Sequence, residues 1–231
     1  MADPCAFAPN RICSKKEDVI PFIVARRVDV KSANNETLQT IKQRRSIRLF
    51  TKEEVSDQDI NLLLHAANEA PSAHNQQSWK FMVMRDRKKQ ELAQLVTSQS
   101  GEFPRPASTL LRMAARSISG AAAVIAIANT GDLIRHGTQL FKVEREMAHD
   151  FFRTMEIQSS AAAVQNLLLA ATSLGLATVW LGILYLIKDE VLDFLGEPKG
   201  EFMAVVPVGY AATSSQGPQK QPLVMKARYL D

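Results

Sequence analysis

A stretch without any charged residue, Ser159–Ile187, constrains the fold more than any other part of the chain. It is long enough to cross a lipid bilayer, but the polar residues Gln165 and Asn166 interrupt it, and Gly175 is a typical C-terminal stop for a helix. We therefore predict a buried helix that ends near Gly175 and a buried strand at Ala177–Leu181. A transmembrane helix is rejected.

The first helices are predicted from their caps and their apolar spacing. Asn35 is a good N-cap residue, and Leu38 and Ile41 lie three residues apart, as one buried helix face requires. A second helix starts from a capping-box-like pair, Ser56 and Asp59. The apolar positions of that second helix follow at amphipathic spacing: Ile60, Leu63, Leu64 and Ala67.

Alternation and apolar runs predict the remaining elements, while the stretch from 131 to 149 matches no simple pattern. Ala121–Asn129 is almost continuously apolar, which is typical of a strand buried on both faces. Further helices are predicted at Lys88–Ser98, Ala107–Ser119 and Ile187–Leu195, and further strands at Lys80–Arg85, Glu201–Tyr210 and Leu223–Met225.

Composition and charge narrow the functional classes. The 231 residues are 46% hydrophobic and 23% charged, as in ordinary globular proteins. A net charge of +4 favours an anionic cofactor or substrate, but no basic run is dense enough to predict nucleic-acid binding. The two cysteines, Cys5 and Cys13, have no neighbouring histidine and predict no metal site. The N-terminus lacks an apolar signal core, so we expect a cytoplasmic protein.

An arginine-rich segment, Arg44–Phe50, carries the first chemical signal. If the segment is extended, alternate side chains point the same way, so Arg44, Ser46 and Arg48 share one face, and Arg45 lies on the other with Ile47. Two guanidinium groups and a hydroxyl that converge on one spot suit a phosphate monoester, because arginine pairs with phosphate through two hydrogen bonds.

A polar loop, Ala70–Trp79, carries the second chemical signal. It is rich in Pro, Ser, Asn and Gln and follows directly on a predicted helix. Its side-chain amides and free backbone groups are suited to the polar edge of a planar heterocycle. His74 lies inside this loop and is a further candidate contact.

Together these two segments resemble the FMN-dependent nitroreductase family. The family pattern is Arg-Arg-Ser-(Ile/Val)-Arg, about one helix length, and then Ala-Pro-Ser-x-x-Asn-x-Gln-Pro-Trp. This chain matches both pieces in order, with Ser78 where the family usually has Pro. Asn166–Gly182 resembles the family's central helix and following strand, and Val206–Tyr210 its last core strand. The resemblance extends over about residues 36–225.

The resemblance implies an α+β fold with a central, mainly antiparallel sheet flanked by helices, active as a homodimer with the FMN site at the interface. Residues 1–35 would be an N-terminal extension and residues 36–231 a single domain. The implied phosphate and ribityl contacts are Arg44, Arg45, Ser46 and Arg48, with Lys220 before Pro222; the family's second basic residue is replaced by Pro218, and Lys226 or Arg228 could substitute. The implied flavin contacts are Pro71, Ser72, Ala73 and Asn75 in the loop, reaching into the partner's site, and Trp180, Leu181 and Gly182 near the reactive edge.

The implied function is NADH- or NADPH-driven two-electron reduction of a small electron-poor acceptor, such as a nitroaromatic or quinone, by a ping-pong mechanism. No protein catalytic residue is expected, because the flavin carries the redox chemistry. Two alternatives stay open: reductive dehalogenation or dehydrogenation of a specific substrate, and a flavin-binding or flavin-processing protein without nicotinamide turnover. No membrane or nucleic-acid partner is expected.

Overall fold

A computed structural model describes residues 35–140, 144–214 and 217–230. The predictions made for the N-terminal extension, Cys5 and Cys13 lie outside these residues. The described part contains seven α-helices, four strands and several short 3₁₀ turns. The helices are α1 (Glu36–Gln43), α2 (Asp57–Asn68), α3 (Asp86–Gln99), α4 (Ala107–Gly120), α5 (Asp132–Leu140), α6 (Arg145–Ser173) and α7 (Lys188–Leu195), and the strands are β1 (Trp79–Met84), β2 (Ala123–Asn129), β3 (Ala177–Thr178) and β4 (Glu201–Gly209).

The four strands form one antiparallel sheet in the order β1-β2-β4-β3. In the central pair, Ile125 lies opposite Val206 and Val124 opposite Pro207. Every residue of β2 is buried, as expected for a strand whose two faces are both covered. The predicted α+β fold with a mainly antiparallel sheet is confirmed.

Helices cover both faces of this sheet, and successive strand residues alternate between the two layers. On one face, Ile125 and Val206 pack in a cluster with Leu63 of α2 and Leu167 of α6. On the other face, Val124 packs in a second cluster, whose helical members come from α3, α4 and α7. The long helix α6 is therefore part of the core along its C-terminal half, where the sequence has no charges.

Helix α2 forms as its sequence predicts. The Ser56 hydroxyl accepts from the Asp59 N–H at 3.0 Å and satisfies one of the free donors of the first turn. Ile60, Leu63 and Ala67 are buried, and Leu64 packs against the same cluster.

Four predictions about elements were wrong or incomplete. The apolar residues of α1, Leu38 and Ile41, are 48% and 49% exposed, so the expected buried face is not covered by the described residues. Strand β3 has only two residues instead of extending to Leu181, because the chain turns into a 3₁₀ helix at Gly182. The predicted final strand at Leu223–Met225 is a 3₁₀ turn. The unassigned stretch after residue 131 forms α5 and the beginning of α6.

None of the described helices is both long and apolar enough to cross a membrane. Helix α6 has 29 residues, but its N-terminal half is charged.

Two neighbouring leucines of α2 test how the core stabilises the fold. Leu63 is fully buried, whereas Leu62 is 45% exposed. We expect Leu63→Ala to lower the free energy of unfolding by about 2–5 kcal/mol, because it leaves a cavity in the layer between α2, α6 and the sheet. Leu62→Ala, the matched control, should cost below about 1 kcal/mol. Urea denaturation followed by circular dichroism measures both; equal losses would contradict the packing described above.

Candidate functional site

The arginine-rich segment is held between the end of the sheet and the chain after β4. Near its start, the Ile47 N–H donates to the Thr178 carbonyl of β3 at 2.9 Å, and Ser46 forms a parallel bridge with the same residue. At its other end, the Leu49 carbonyl accepts from the Ala212 N–H at 3.0 Å. These backbone bonds hold the segment in a non-helical conformation beside the edge strand of the sheet.

Arg48 lies beside the segment that follows β3. With Trp180, Leu181 and Gly182 it lines a cleft of about 150 Å³. The Arg48 carbonyl accepts from the Ser117 hydroxyl of α4 at 3.1 Å, which anchors the backbone behind the side chain. The structure thus places Arg48, one of the predicted phosphate contacts, beside the predicted contacts Trp180, Leu181 and Gly182.

Arg45 faces the C-terminal segment. Its guanidinium donates to the carbonyls of Lys42 and Arg44 at 2.6 and 2.8 Å. A Cβ added at Gly217 would lie 2.8 Å from the Arg45 Cδ and Nε, and Gly217 has a φ of 66°, so glycine suits this close approach. Lys220 is three residues further on, and its backbone is therefore within roughly 10 Å of Gly217.

The electrostatics of this region favour an anion. Within the part of the chain that the structure describes, no carboxylate forms an ion pair with Arg44 or Arg48. The Thr178 hydroxyl beside Ser46 is buried and has no hydrogen-bond partner among the described residues. A phosphate ester supplies the acceptor oxygens that such a group of donors requires.

The polar loop has an unusual backbone. His74, Asn75 and Gln77 have φ values of 55°, 52° and 51°, in the left-handed region that non-glycine residues rarely adopt. Such strain concentrates at functional sites. The loop is braced internally: the Ser72 hydroxyl accepts from the Gln77 N–H at 3.1 Å, and the Asn75 side-chain carbonyl accepts from the Gln77 side-chain amide at 2.9 Å.

The expectation that this loop offers free backbone groups was wrong for most of its donors. The N–H groups of Ala73, Asn75, Gln76 and Gln77 all donate within the chain. What remains for a ligand is mainly side chains, above all the amide nitrogen of Asn75 and the ring of His74, both of which are exposed.

The loop lies away from the arginine segment within one chain. The Ala73 N–H donates to the Ser159 hydroxyl near the middle of α6 at 3.1 Å. Ser159 lies roughly 20 Å along the helix axis from Ser173, where α6 ends before β3. The structure therefore does not bring Pro71, Ser72, Ala73 and Asn75 together with Arg44–Arg48.

Comparison with known proteins identifies the family. The family model described as "Nitroreductase family" matches residues 41–210. The chain belongs to the nitroreductase family. A curated relative from Archaeoglobus fulgidus, named as a NADH dehydrogenase/NAD(P)H nitroreductase, is 32% identical over 179 residues, 76% of this chain and 85% of that protein.

Two further comparisons bear on ligand and activity. A solved nitroreductase with bound FMN from Desulfitobacterium hafniense is 26% identical, with a TM-score of 0.63, covering 85% of this chain and 99% of that one. An iodotyrosine deiodinase from Thermotoga neapolitana is 43% identical over 47 residues, only 20% of this chain and 25% of that protein. The resemblance read from the motifs is thus confirmed.

Within this nitroreductase-family fold, one of the backbone N–H groups at Leu181 and Gly182 already has a partner in the chain. The Leu181 N–H donates to the Val205 carbonyl of β4 at 2.9 Å. Gly182 starts a 3₁₀ helix, and the first N–H groups of a helix have no partner within it. Of these two backbone N–H groups, the one at Gly182, which is exposed, therefore remains available to a ligand.

Ser78, which replaces the family's usual Pro, joins a buried polar cluster that motif reasoning missed. The Leu133 N–H at the start of α5 donates to the Ser78 hydroxyl at 3.2 Å and to Glu156 Oε1 at 2.9 Å. Burial raises the pKa of the Glu156 carboxyl, against the lowering by these hydrogen bonds, and the Glu201 and Asp132 carboxylates add to the rise.

A sequence signal for this cluster exists. Glu156 continues the buried stripe of α6, four residues after Phe152 and four before Ser160. A carboxylate on a helix face that is otherwise apolar predicts a buried partner or ligand.

Proposed function

We propose that the protein is an FMN-dependent oxidoreductase that uses NADH or NADPH to reduce a small electron-poor acceptor, such as a nitroaromatic or quinone. The observation that carries the proposal is the fixed arginine segment beside Trp180–Gly182, with Arg44 and Arg48 not paired to any described carboxylate. The FMN bound in the Desulfitobacterium hafniense relative and the name of the Archaeoglobus fulgidus relative support it.

The residues present suit FMN. Arg44 and Arg48 would hold the phosphate through charge-assisted hydrogen bonds, with Ser46 as a hydroxyl donor. Arg45 would act mainly through its contact with the C-terminal segment, which carries Lys220 towards the same anion. The Gly182 N–H would donate to the isoalloxazine edge. Bound FMN would supply the two-electron redox chemistry, while the chain binds, orients and shields.

We further propose that two copies of the chain complete each site. The cleft beside Arg48, at about 150 Å³, is below the roughly 300–1,000 Å³ of typical ligand pockets. The loop with Ser72 and Asn75 sits near the middle of α6, where it would serve the site of a second copy. The exposed apolar residues of α1, Leu38 and Ile41, add surface that a homodimer would cover.

The kinetic pattern tests the use of one pocket by both reactants. We expect reductant and acceptor to occupy the same pocket in turn, because the described fold contains one cleft beside the predicted flavin contacts. Initial rates at several acceptor concentrations should give parallel double-reciprocal lines. Enzyme reduced without oxygen and freed of nucleotide should then reduce the acceptor alone.

Intersecting lines, or reduced enzyme that stays inert until nucleotide is returned, would contradict the ping-pong proposal. A yellow protein that neither NADH nor NADPH bleaches would instead favour a flavin-binding or flavin-processing role. The partial match to iodotyrosine deiodinase makes reductive dehalogenation the second candidate. Halide release from a halogenated phenol, measured beside nitroaromatic reduction, distinguishes it.

We also propose, as the sequence predicted, that residues 36–231 form one domain after an N-terminal extension and that the protein works in the cytoplasm. Limited proteolysis, which should remove the extension and leave the remainder intact, tests the first of these.

A further inference from the structure

A second cavity, of about 280 Å³, lies where β4 begins. It is lined by the chain at the start of α5, by α6, by the start of β4, and by the turn between the 3₁₀ helix at Gly182–Ile187 and α7. None of the residues predicted to contact flavin lines it. Its buried wall is acidic: Glu156 of α6 and Glu201 of β4 both face it.

In each of these carboxylates, one oxygen interacts with a partner in the chain and the other has no hydrogen-bond partner among the described residues. Glu156 is 2% exposed, and its Oε1 accepts from the Leu133 N–H at 2.9 Å. Glu201 Oε1 is paired with the Arg153 guanidinium. The Oε2 atoms of both residues are buried and have no hydrogen-bond partner among the described residues. The bound oxygens fix the two carboxylates, so the remaining ones are positioned acceptors.

Asn129 does not line the cavity but is the cross-strand neighbour of Glu201 in the β2–β4 register. It is 1% exposed. Both polar atoms of its side chain are buried without a partner in the described part of the chain. Buried polar groups are paired in the large majority of cases, and leaving one unpaired costs roughly 1–3 kcal/mol. In the cavity wall itself, the unpaired Oε2 atoms of Glu156 and Glu201 indicate a missing hydrogen-bond donor.

The remaining ionisable residues of the lining are mostly basic, and they include Arg153 of α6, whose guanidinium is paired with Glu201. The Lys188 side chain is 43% exposed, and Lys199 and His149 are exposed as well. Lys188 approaches the Asp189 carboxylate at 4.0 Å. Because Arg153 is paired with Glu201, Glu156 is the inner carboxylate without an ion pair among the described residues, while the exposed Lys188 and Lys199 make the rim basic.

This polarity decides the class of ligand. The unpaired carboxylate oxygens of the wall would attract a simple cation, but the lysines of the rim would repel it. A simple anion would be attracted by the rim and repelled by the wall. Among the described residues, no group of three His, Cys, Asp or Glu side chains is placed to hold a metal ion. A molecule with an ammonium group at one end and an anionic group at the other satisfies both regions.

We propose that this cavity binds a small amino-acid-like zwitterion, with its ammonium group on Glu156 and Glu201 and its anionic group at Lys188 and Lys199. The site is separate from the reductase proposal and does not depend on it. A cavity of this size accommodates an amino acid with a medium side chain.

Isothermal titration calorimetry on the protein as purified tests the site, with glycine and L-leucine as zwitterions and isopentylamine and 4-methylpentanoate as the single-charge counterparts of leucine. We expect saturable binding of at least one amino acid, and at least tenfold weaker binding of either counterpart. Glu156→Gln keeps the acceptor for the Leu133 N–H and removes one charge, so it should weaken binding at least tenfold.

A variant at an exposed residue tests the binding site without altering the buried core. Lys199→Ala should also weaken binding severalfold, while Lys88→Ala on α3 should not; circular dichroism confirms that each variant is folded. The proposal is overturned if neither amino acid binds saturably to the wild type, which would leave only water or a shared proton in the cavity. It is equally overturned if the amine alone binds as well as leucine, or if neither Glu156→Gln nor Lys199→Ala changes the affinity.

Discussion

The Arg44→Ala/Arg48→Ala double variant is expected to lose nearly all of its bound flavin. A hydrogen bond to a charged group contributes about 1.5–3 kcal/mol, which is roughly 10- to 150-fold in affinity for each arginine. Because both side chains would bind the same phosphate, their effects need not add, and we expect a loss on the order of 100-fold or more. The absorbance ratio of flavin to protein, and titration of the apoprotein with FMN, measure it.

Arg87→Ala is the matched control. Its side chain is 92% exposed and pairs only with the Glu91 carboxylate of the same helix among the described ion pairs, an arrangement that contributes little. Flavin content should not change in this variant. Arg45→Ala should fall between the two, because the Arg45 guanidinium is engaged with the Lys42 and Arg44 carbonyls. Wild-type flavin content in the double variant would end the assignment of a phosphate site to this segment.

The parts of the fold that the sequence predicted well are those with a strong local pattern. Helix α2 has both a cap and an apolar stripe, and β2 is a continuous apolar run between polar ends. The length of β3 could not be predicted, because Val179–Leu181 is as apolar as a strand. The strand ends at Thr178 even though the Leu181 N–H still donates to the Val205 carbonyl of β4, and this ending depends on tertiary structure.

The candidate site likewise has parts that the sequence predicted and parts that depend on the fold. The contact residues were named from short motifs, since each motif is contiguous and its residue types match phosphate and amide chemistry. The internal bonds that occupy the loop donors depend on folding: the Ala73 N–H meets Ser159, which is far along the chain. The Glu156 cluster joins three distant segments through Ser78 and Leu133, so no single motif contains it.

Complementation between two inactive variants tests whether two copies of the chain complete each flavin site. The first is the Arg44→Ala/Arg48→Ala chain, whose loop is intact. The second is Ser72→Ala/Asn75→Ala, which removes the two acceptors that brace the loop. It also places Ala at the left-handed Asn75 position, at an expected cost of about 1–2 kcal/mol. Each variant alone should retain little flavin.

When the two chains are coexpressed with different affinity tags, some dimers contain one copy of each variant. The two flavin sites of such a mixed dimer then differ in the substitutions that they carry. If a site combines the arginines of one copy with the loop of the other, one site receives both defects. The other receives neither, as twofold symmetry requires. The doubly purified mixed dimer should then carry about half of the wild-type flavin and about half of its activity.

If instead each site lay within one chain, every site of the mixed dimer would carry one defect, and no flavin would return. The same null result for a mixed dimer that light scattering shows to be intact would therefore contradict the shared site. Because Ser159 holds the loop near the middle of α6, away from the arginines of the same chain, we expect the half-occupied dimer.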